Sequence, residues 1–230
     1  MQHRAELVMV HGAGGGGWEW LSWRRLAVAR GWPVRAPDLQ PGPQGLAATG
    51  FHDYLGQVAA WRPEGPDVLV GASLGGLLAL AAAAARPPRA LVLVCPLPPA
   101  PWSARLPDPA PADAVRRWSR SADLAATRAA IPDADPATAL LAARRWRDES
   151  GRALRQARDL HPAGPDCPVL VIAASGDRAV PSALLASWSH EVGFDLLGVP
   201  GSHVGPLLGS GADAVARLAL DWIEATFSTV

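Results

Sequence analysis

The chain has 230 residues, enough for a full hydrophobic core, and 49% of them are hydrophobic against 18% charged, a balance that excludes a disordered chain. Its 21 basic residues cancel 21 acidic ones, so the basic excess that nucleic-acid phosphates demand is missing. All the basic residues are arginine, which excludes two lysine chemistries, the Walker-type phosphate loop and the pyridoxal Schiff base.

In chain order, short β-branched runs alternate with longer Ala/Leu-rich segments, the pattern of βαβ units around a parallel sheet. The expected strands are Glu6–Val10, Pro33–Ala36, Asp67–Val70, Ala90–Val94, Val169–Ala173 and Phe194–Val199. They read as continuous apolar runs, as strands covered on both faces should. The expected helices are Glu19–Arg30, Phe51–Trp61, Leu74–Ala85, Ser182–Ser189 and Ala212–Phe227. The N-terminus enters the first strand directly and no apolar run reaches the ~18 residues of a membrane span, so a cytoplasmic protein is expected. Cys95 and Cys167 are too few for a zinc site or a disulfide framework and read as core thiols.

The first strand runs into His11-Gly12-Ala13-Gly14-Gly15-Gly16-Gly17-Trp18. Gly12, Gly14 and Gly17, with Asp38 about 20 residues on, match a dinucleotide fingerprint by letter. Four consecutive glycines satisfy many such patterns by accident, however. A short-chain dehydrogenase would also need a Tyr–Lys pair, and this chain has only Tyr54 and no lysine. The other use of such a loop is to turn backbone N–H groups toward an acyl oxygen. On that reading the N–H groups of Ala13 and Leu74 form an oxyanion hole, and His11 is a structural neighbour. His3, His52, His161 and His190 lack any partner pattern and read as surface residues, and Asp53, Asp166 and Asp195 lack a strand-end setting.

Asp67 to Leu77 reads strand, then Gly71-Ala72-Ser73-Leu74-Gly75, then helix. This is G-x-S-x-G on a sharp strand-to-helix turn. Glycines on either side allow close backbone approach, and the serine hydroxyl projects at the C-terminal sheet edge. Ser73 acting only as a helix cap is the plainer reading. A serine nucleophile needs a base and an orienting acid, in the chain order Ser, Asp, His for this kind of turn. Asp177 follows the Val169 strand in Ser175-Gly176-Asp177, and His203 follows the Phe194 strand in Gly201-Ser202-His203. Both fall at strand C-terminal ends, where open α/β sheets place ligand sites.

Between the strands ending near Val94 and starting near Val169 lie about 70 residues without an evident strand. They open with the proline-rich stretch from Pro96 to Pro111 and continue with helical patterns at Ala112–Ala122, Leu124–Ala130, Pro136–Arg147 and Glu149–Leu160. A structureless loop of that length is foreign to a compact fold, so residues 96–165 are expected to form a helical cap inserted into a single domain spanning 1–230. Trp18, Trp102, Trp118, Trp146 and Val204 are candidate pocket residues. Arg116, Arg117, Arg144, Arg145 and Arg147 serve either an anionic acyl group or a solvated face.

Together, His11-Gly12-Ala13 with Trp18 and Trp20, Gly71 to Gly76, Ser175-Gly176-Asp177 and Gly201-Ser202-His203 resemble the α/β-hydrolase superfamily. The nearest likeness is to its small esterase and hydroxynitrile-lyase-like branch. The resemblance implies an α/β-hydrolase fold with a mostly parallel sheet of about six strands and a Ser73–His203–Asp177 triad. The implied activity is cleavage of a small-molecule carboxylic ester or thioester through an acyl-enzyme, without metal or cofactor. The lyases of that branch carry threonine where this chain has Gly12 and lysine where it has Val204, which disfavours cyanohydrin cleavage. A cyclase, lyase or acyltransferase using the same triad is the alternative.

Overall fold

The computed structural model describes residues 5–121 and 123–228. In chain order the first half comprises β1 (Glu6–Val10), α1 (Leu21–Ala29), β2 (Val34–Arg35), α2 (Phe51–Trp61), β3 (Asp67–Ala72), α3 (Leu74–Ala85) and β4 (Ala90–Val94). The stretch that follows holds β5 (Val115–Arg116), α4 (Trp118–Ser121), α5 (Leu124–Ala130), α6 (Pro136–Ala143), β6 (Glu149–Ser150) and α7 (Gly151–Arg158). The chain closes with β7 (Val169–Ala174), α8 (Ser182–Val192), β8 (Asp195–Val199), α9 (Gly205–Leu208) and α10 (Ala212–Ser228). Six strands form one sheet in the order β2-β1-β3-β4-β7-β8, and every neighbouring pair is parallel.

Two cores flank this sheet because strand side chains alternate with period two. Leu7, Met9, Val68, Val70, Val92, Val94, Leu170 and Ile172 face one side, under Trp23 and Ala27 of α1 and Val215, Ala219 and Ile223 of α10. Val8, Val10, Leu69, Leu91, Leu93, Val169 and Val171 face the other, under α2, α3 and α8 through Phe51, Tyr54, Leu77, Leu78, Leu185 and Trp188. The switch in strand order falls between β1 and β3, whose C-terminal ends carry the glycine loop and Ser73 side by side.

The structure corrects several sequence expectations. Phe194–Val199 is not covered on both faces: β8 is an edge strand, paired only with β7, and Leu196 remains 44% exposed. The stretch from 96 to 165 is not purely helical, because β5 and β6 pair antiparallel, Val115 with Ser150 and Arg116 with Glu149. Of the helix expected at Ala112–Ala122 only α4 forms; Ala122 lies outside the described residues. In place of its first turns, Val115 and Arg116 pair with Ser150 and Glu149, and the Gly151 N–H donates to the Ala114 carbonyl. The patterns at Pro136–Arg147 and Glu149–Leu160 shorten to α6 and α7. Asp135 starts α6 by accepting the N–H groups of Ala137 and Thr138, and the Ser150 hydroxyl accepts the Ala153 N–H to start α7. No helix among the described residues is long and apolar enough to cross a membrane.

Candidate active site

Ser73 sits between β3 and α3 with φ 51°, a backbone region that side-chain-bearing residues rarely adopt and that costs roughly 1–3 kcal/mol. The turn is made possible by close approach. A side-chain carbon at Gly71 would overlap the Gly75 carbonyl, and one at Gly75 would overlap the carbonyls of Val10 and His11. Ser73 caps nothing with its side chain. Its hydroxyl instead lies 3.0 Å from His203 Nε2, and His203 Nδ1 lies 2.7 Å from Asp177 Oδ2. Nδ1–H donates to the carboxylate, which leaves Nε2 to accept the serine proton. Asp177 is 7% exposed. Its second oxygen accepts the N–H groups of Ala179 and Val180, each at 2.8 Å. One Asp177 oxygen thus closes the turn after β7 and the other meets His203.

His203 is reached through Gly201-Ser202, and this loop is gripped from the insert. Asp133, in the turn between α5 and α6, accepts the Ser202 hydroxyl at 2.6 Å and the Ser202 N–H at 3.0 Å. Its carboxylate is packed so tightly against Gly205 that any side chain there would overlap it.

Above Ser73 opens a cavity of about 1440 Å³. Ala13 and Leu74 line it beside Ser73 and His203. Among the described residues neither backbone N–H is engaged in a hydrogen bond, so both are available to an oxygen at Ser73. Trp118, Trp146 and Val204 also line the cavity. Trp18 and Trp102 do not. Trp18 stands edge-on to Trp146 at 5.4 Å, behind the cavity wall. Trp102 is buried in a short 3-10 turn with Arg105 over its ring, because a bulky apolar ring after Pro101 finds the core before it finds the site. Of the arginines singled out in the sequence, Arg116 reaches the cavity, Arg117 lies 3.5 Å from Asp148, and Arg147 binds the glycine loop. Arg158 and Arg178, which no motif marks, line the cavity as well.

The glycine loop is not arranged for a pyrophosphate. Its Gly14 and Gly17 N–H groups donate to Glu149 and Asp38, at 3.0 and 2.7 Å, which puts carboxylates where phosphate oxygens would have to lie. His11 is buried at the end of β1, and burial lowers its pKa to about 4. Glu19, which also lines the cavity, is 2% exposed. Burial pushes its pKa up to about 8, against the pull of the Gly12 and Gly16 N–H groups. His52, His161 and His190 are exposed, as are Asp53, Asp166 and Asp195; His3 lies outside the described residues.

Cys95 is more than a core thiol. Its sulfur, the Asp177 carboxylate and the His203 ring lie within 4.8 Å of one another. The Asp177 carboxylate and the His203 ring are hydrogen-bonded to each other, and burial, with Asp177 beside it, pushes the thiol pKa far up.

Similar folds occur in solved structures. A pyrethroid hydrolase from Sphingobium faniae JZ-2 is 23% identical, with TM-score 0.75 over 96% of this chain and 98% of its own. A methylesterase from Arabidopsis is 16% identical, with TM-score 0.73 over 95% and 98%. Polyneuridine aldehyde esterase is 20% identical, with TM-score 0.75 over 95% and 99%. A comparison with curated protein sequences finds no match. The model of the alpha/beta hydrolase family matches residues 7–218, and the chain belongs to that family.

Proposed function

We propose that this protein is a serine hydrolase that cleaves a carboxylic ester or thioester through an acyl-enzyme on Ser73. The observation that carries this reading is the Ser73–His203–Asp177 hydrogen-bond chain at the floor of the cavity. His203 Nε2 takes the hydroxyl proton as Ser73 Oγ attacks the acyl carbon, and the carbonyl π electrons move onto oxygen. The N–H groups of Ala13 and Leu74 receive that oxyanion, at the N-terminus of α3 where partial positive charge favours it. Collapse of the tetrahedral species breaks the bond to the alcohol or thiol, which leaves with the proton from His203. Water, deprotonated by the same nitrogen, then repeats the attack and releases the acid. Asp177 holds the Nδ1–H tautomer and offsets the positive charge on His203 in both steps.

The cavity exceeds the ~300–1,000 Å³ usual for small-molecule sites, and apolar residues such as Leu97, Leu106, Trp118, Trp146 and Leu207 line it. Bulky apolar esters therefore fit better than acetyl esters. The insert between β4 and β7 acts as the cap that reads them. The names of two similar structures, both esterases, point the same way.

Ser73→Ala tests the assignment. Turnover of a chromogenic ester is expected to fall by roughly 10⁴-fold or more. A fluorophosphonate should add one adduct to the wild-type chain, on Ser73, and none to the variant. Undiminished turnover by Ser73→Ala would remove the proposal.

A further inference from the structure

The oxyanion loop holds its shape only in part. Ala13 contributes its N–H from between two peptide planes: the Gly12 carbonyl of the first accepts the Gly15 N–H within the loop at 3.2 Å, and the second is fixed from elsewhere. In a planar trans peptide the carbonyl and the following N–H point in opposite directions. Whatever holds the Gly12 carbonyl therefore aims the Ala13 N–H. His11 Nδ1–H donates to that carbonyl at 2.7 Å. The ring is held in turn at Nε2, which accepts the Leu39 N–H at 2.9 Å and lies 3.2 Å from Arg147 Nη2. The plane after Ala13 is fixed by Glu149, whose Oε2 accepts the Gly14 N–H at 3.0 Å.

Arg147 and Glu149 both come from the insert, more than 130 positions from the loop. Arg147 reaches the loop in two further ways and grips Leu39, which itself donates to His11, in a third. Its backbone N–H donates to the Gly14 carbonyl at 2.8 Å. Its Nε donates to the Gly15 carbonyl at 2.7 Å, and its Nη1 to the Leu39 carbonyl at 3.2 Å. Glu149 is 4% exposed, and its Oε1 is fixed by the Tyr54 hydroxyl at 2.6 Å and the Ser150 N–H at 2.7 Å. The Trp18–Trp146 edge contact completes the seam.

We propose that Glu149, and Arg147 acting through His11, are positioning residues that aim the Ala13 N–H at the oxyanion. The inference rests on the Ser73 acyl-enzyme reading. It assigns the insert a part in transition-state stabilisation, separate from its part in lining the cavity. An aimed donor matters most once charge has moved onto oxygen, so its loss should lower kcat more than it raises KM.

Glu149→Gln turns an N–H₂ group toward the Gly14 N–H when the remaining oxygen keeps Tyr54 and Ser150. Arg147→Lys keeps the charge, but one ammonium cannot span Gly15, Leu39 and His11. Each variant, checked by circular dichroism, is expected to lose kcat by roughly 10- to 100-fold with KM within about 3-fold. A trifluoromethyl ketone, which forms a tetrahedral adduct on the serine, should lose affinity by the same factor. Wild-type kcat and wild-type ketone affinity in the folded variants would overturn the proposal, as would a rise in KM alone. If Glu149→Gln does not fold, Arg147→Lys decides by itself. Failure of the underlying reading is seen separately, as turnover that survives Ser73→Ala.

Discussion

Glu19 and His11 meet under the same glycine loop with opposite consequences for stability. Glu19 has an ordinary pKa of 4.5, raised by burial to about 8 in the fold. Across that window the unfolded chain has released a proton that the folded chain keeps, so stability falls as pH rises from about 4.5 to about 8. His11 has an ordinary pKa of 6.5, lowered by burial to about 4. There the unfolded chain binds a proton that the folded chain refuses, so stability falls as pH drops from about 6.5 to about 4. The two effects oppose each other below 6.5, and Glu19 acts without that opposition from 6.5 to 8. Glu19→Gln removes the charging step, and its melting temperature relative to the wild type should climb between pH 6.5 and 8. A difference that stays constant over that interval would contradict the assignment. The sequence placed His11 beside the glycine loop but did not show the burial of either residue. His11 stood out by its place after β1, but Glu19 looked like an ordinary polar residue at a helix start, and only the fold of the loop over it makes it buried.

At the scale of elements, the start of β3 is tied to its neighbours by a buried ion pair. Arg62, just after α2, grips Asp67 with Nε at 2.5 Å and Nη2 at 2.9 Å, and both side chains are nearly inaccessible. The guanidinium also donates to the carbonyls of Ala82 in α3, at 3.0 Å, and of Arg86 just beyond it. Removing one member leaves the other charged and buried, which costs about 3–5 kcal/mol. Arg62→Ala should therefore lower the unfolding free energy by that order in a urea titration, and a loss under ~1 kcal/mol would show the pair to be dispensable. The central strands β3, β4 and β7 were readable in advance because they carry apolar runs, and α1, α2, α3 and α8 because helical patterns there stop within two residues of Gly or Pro. The β5–β6 pair was not, since two residues a side carry no periodicity and form only where Gly151 N–H also donates to the Ala114 carbonyl.

On the whole-molecule scale, the insert clasps the Ser73 edge of the sheet at two points. Arg147 and Glu149 hold the loop after β1, and Asp133 holds the loop after β8 through Ser202. Both loops meet at Ser73, so displacing the insert would disturb the Ala13 N–H and His203 together. Asp133→Ala leaves the Ser202 hydroxyl and N–H without their acceptor, a loss of about 1–3 kcal/mol in stability. It should also reduce kcat by roughly tenfold or more as His203 loses its fixed geometry. Asp133→Asn, which keeps one acceptor oxygen, should fall between. Wild-type kcat and stability in Asp133→Ala would show that the loop holds His203 unaided.

The sequence by itself determined the parallel sheet and the positions of Ser73, Asp177 and His203. Those features rest on local rules: apolar runs make strands, glycines permit the sharp turn, and strand C-terminal ends present side chains to one edge. Tertiary structure alone decided which residues support that edge. Arg147 and Glu149 stand at the ends of expected helical patterns and Asp133 lies between two of them, with no motif to mark their partners, and each acts on a loop far away in the chain. It also decided that Trp146 faces the cavity while Trp102 is buried. An aromatic ring gains by leaving water wherever it packs, and only the assembled fold fixes which surface it packs against.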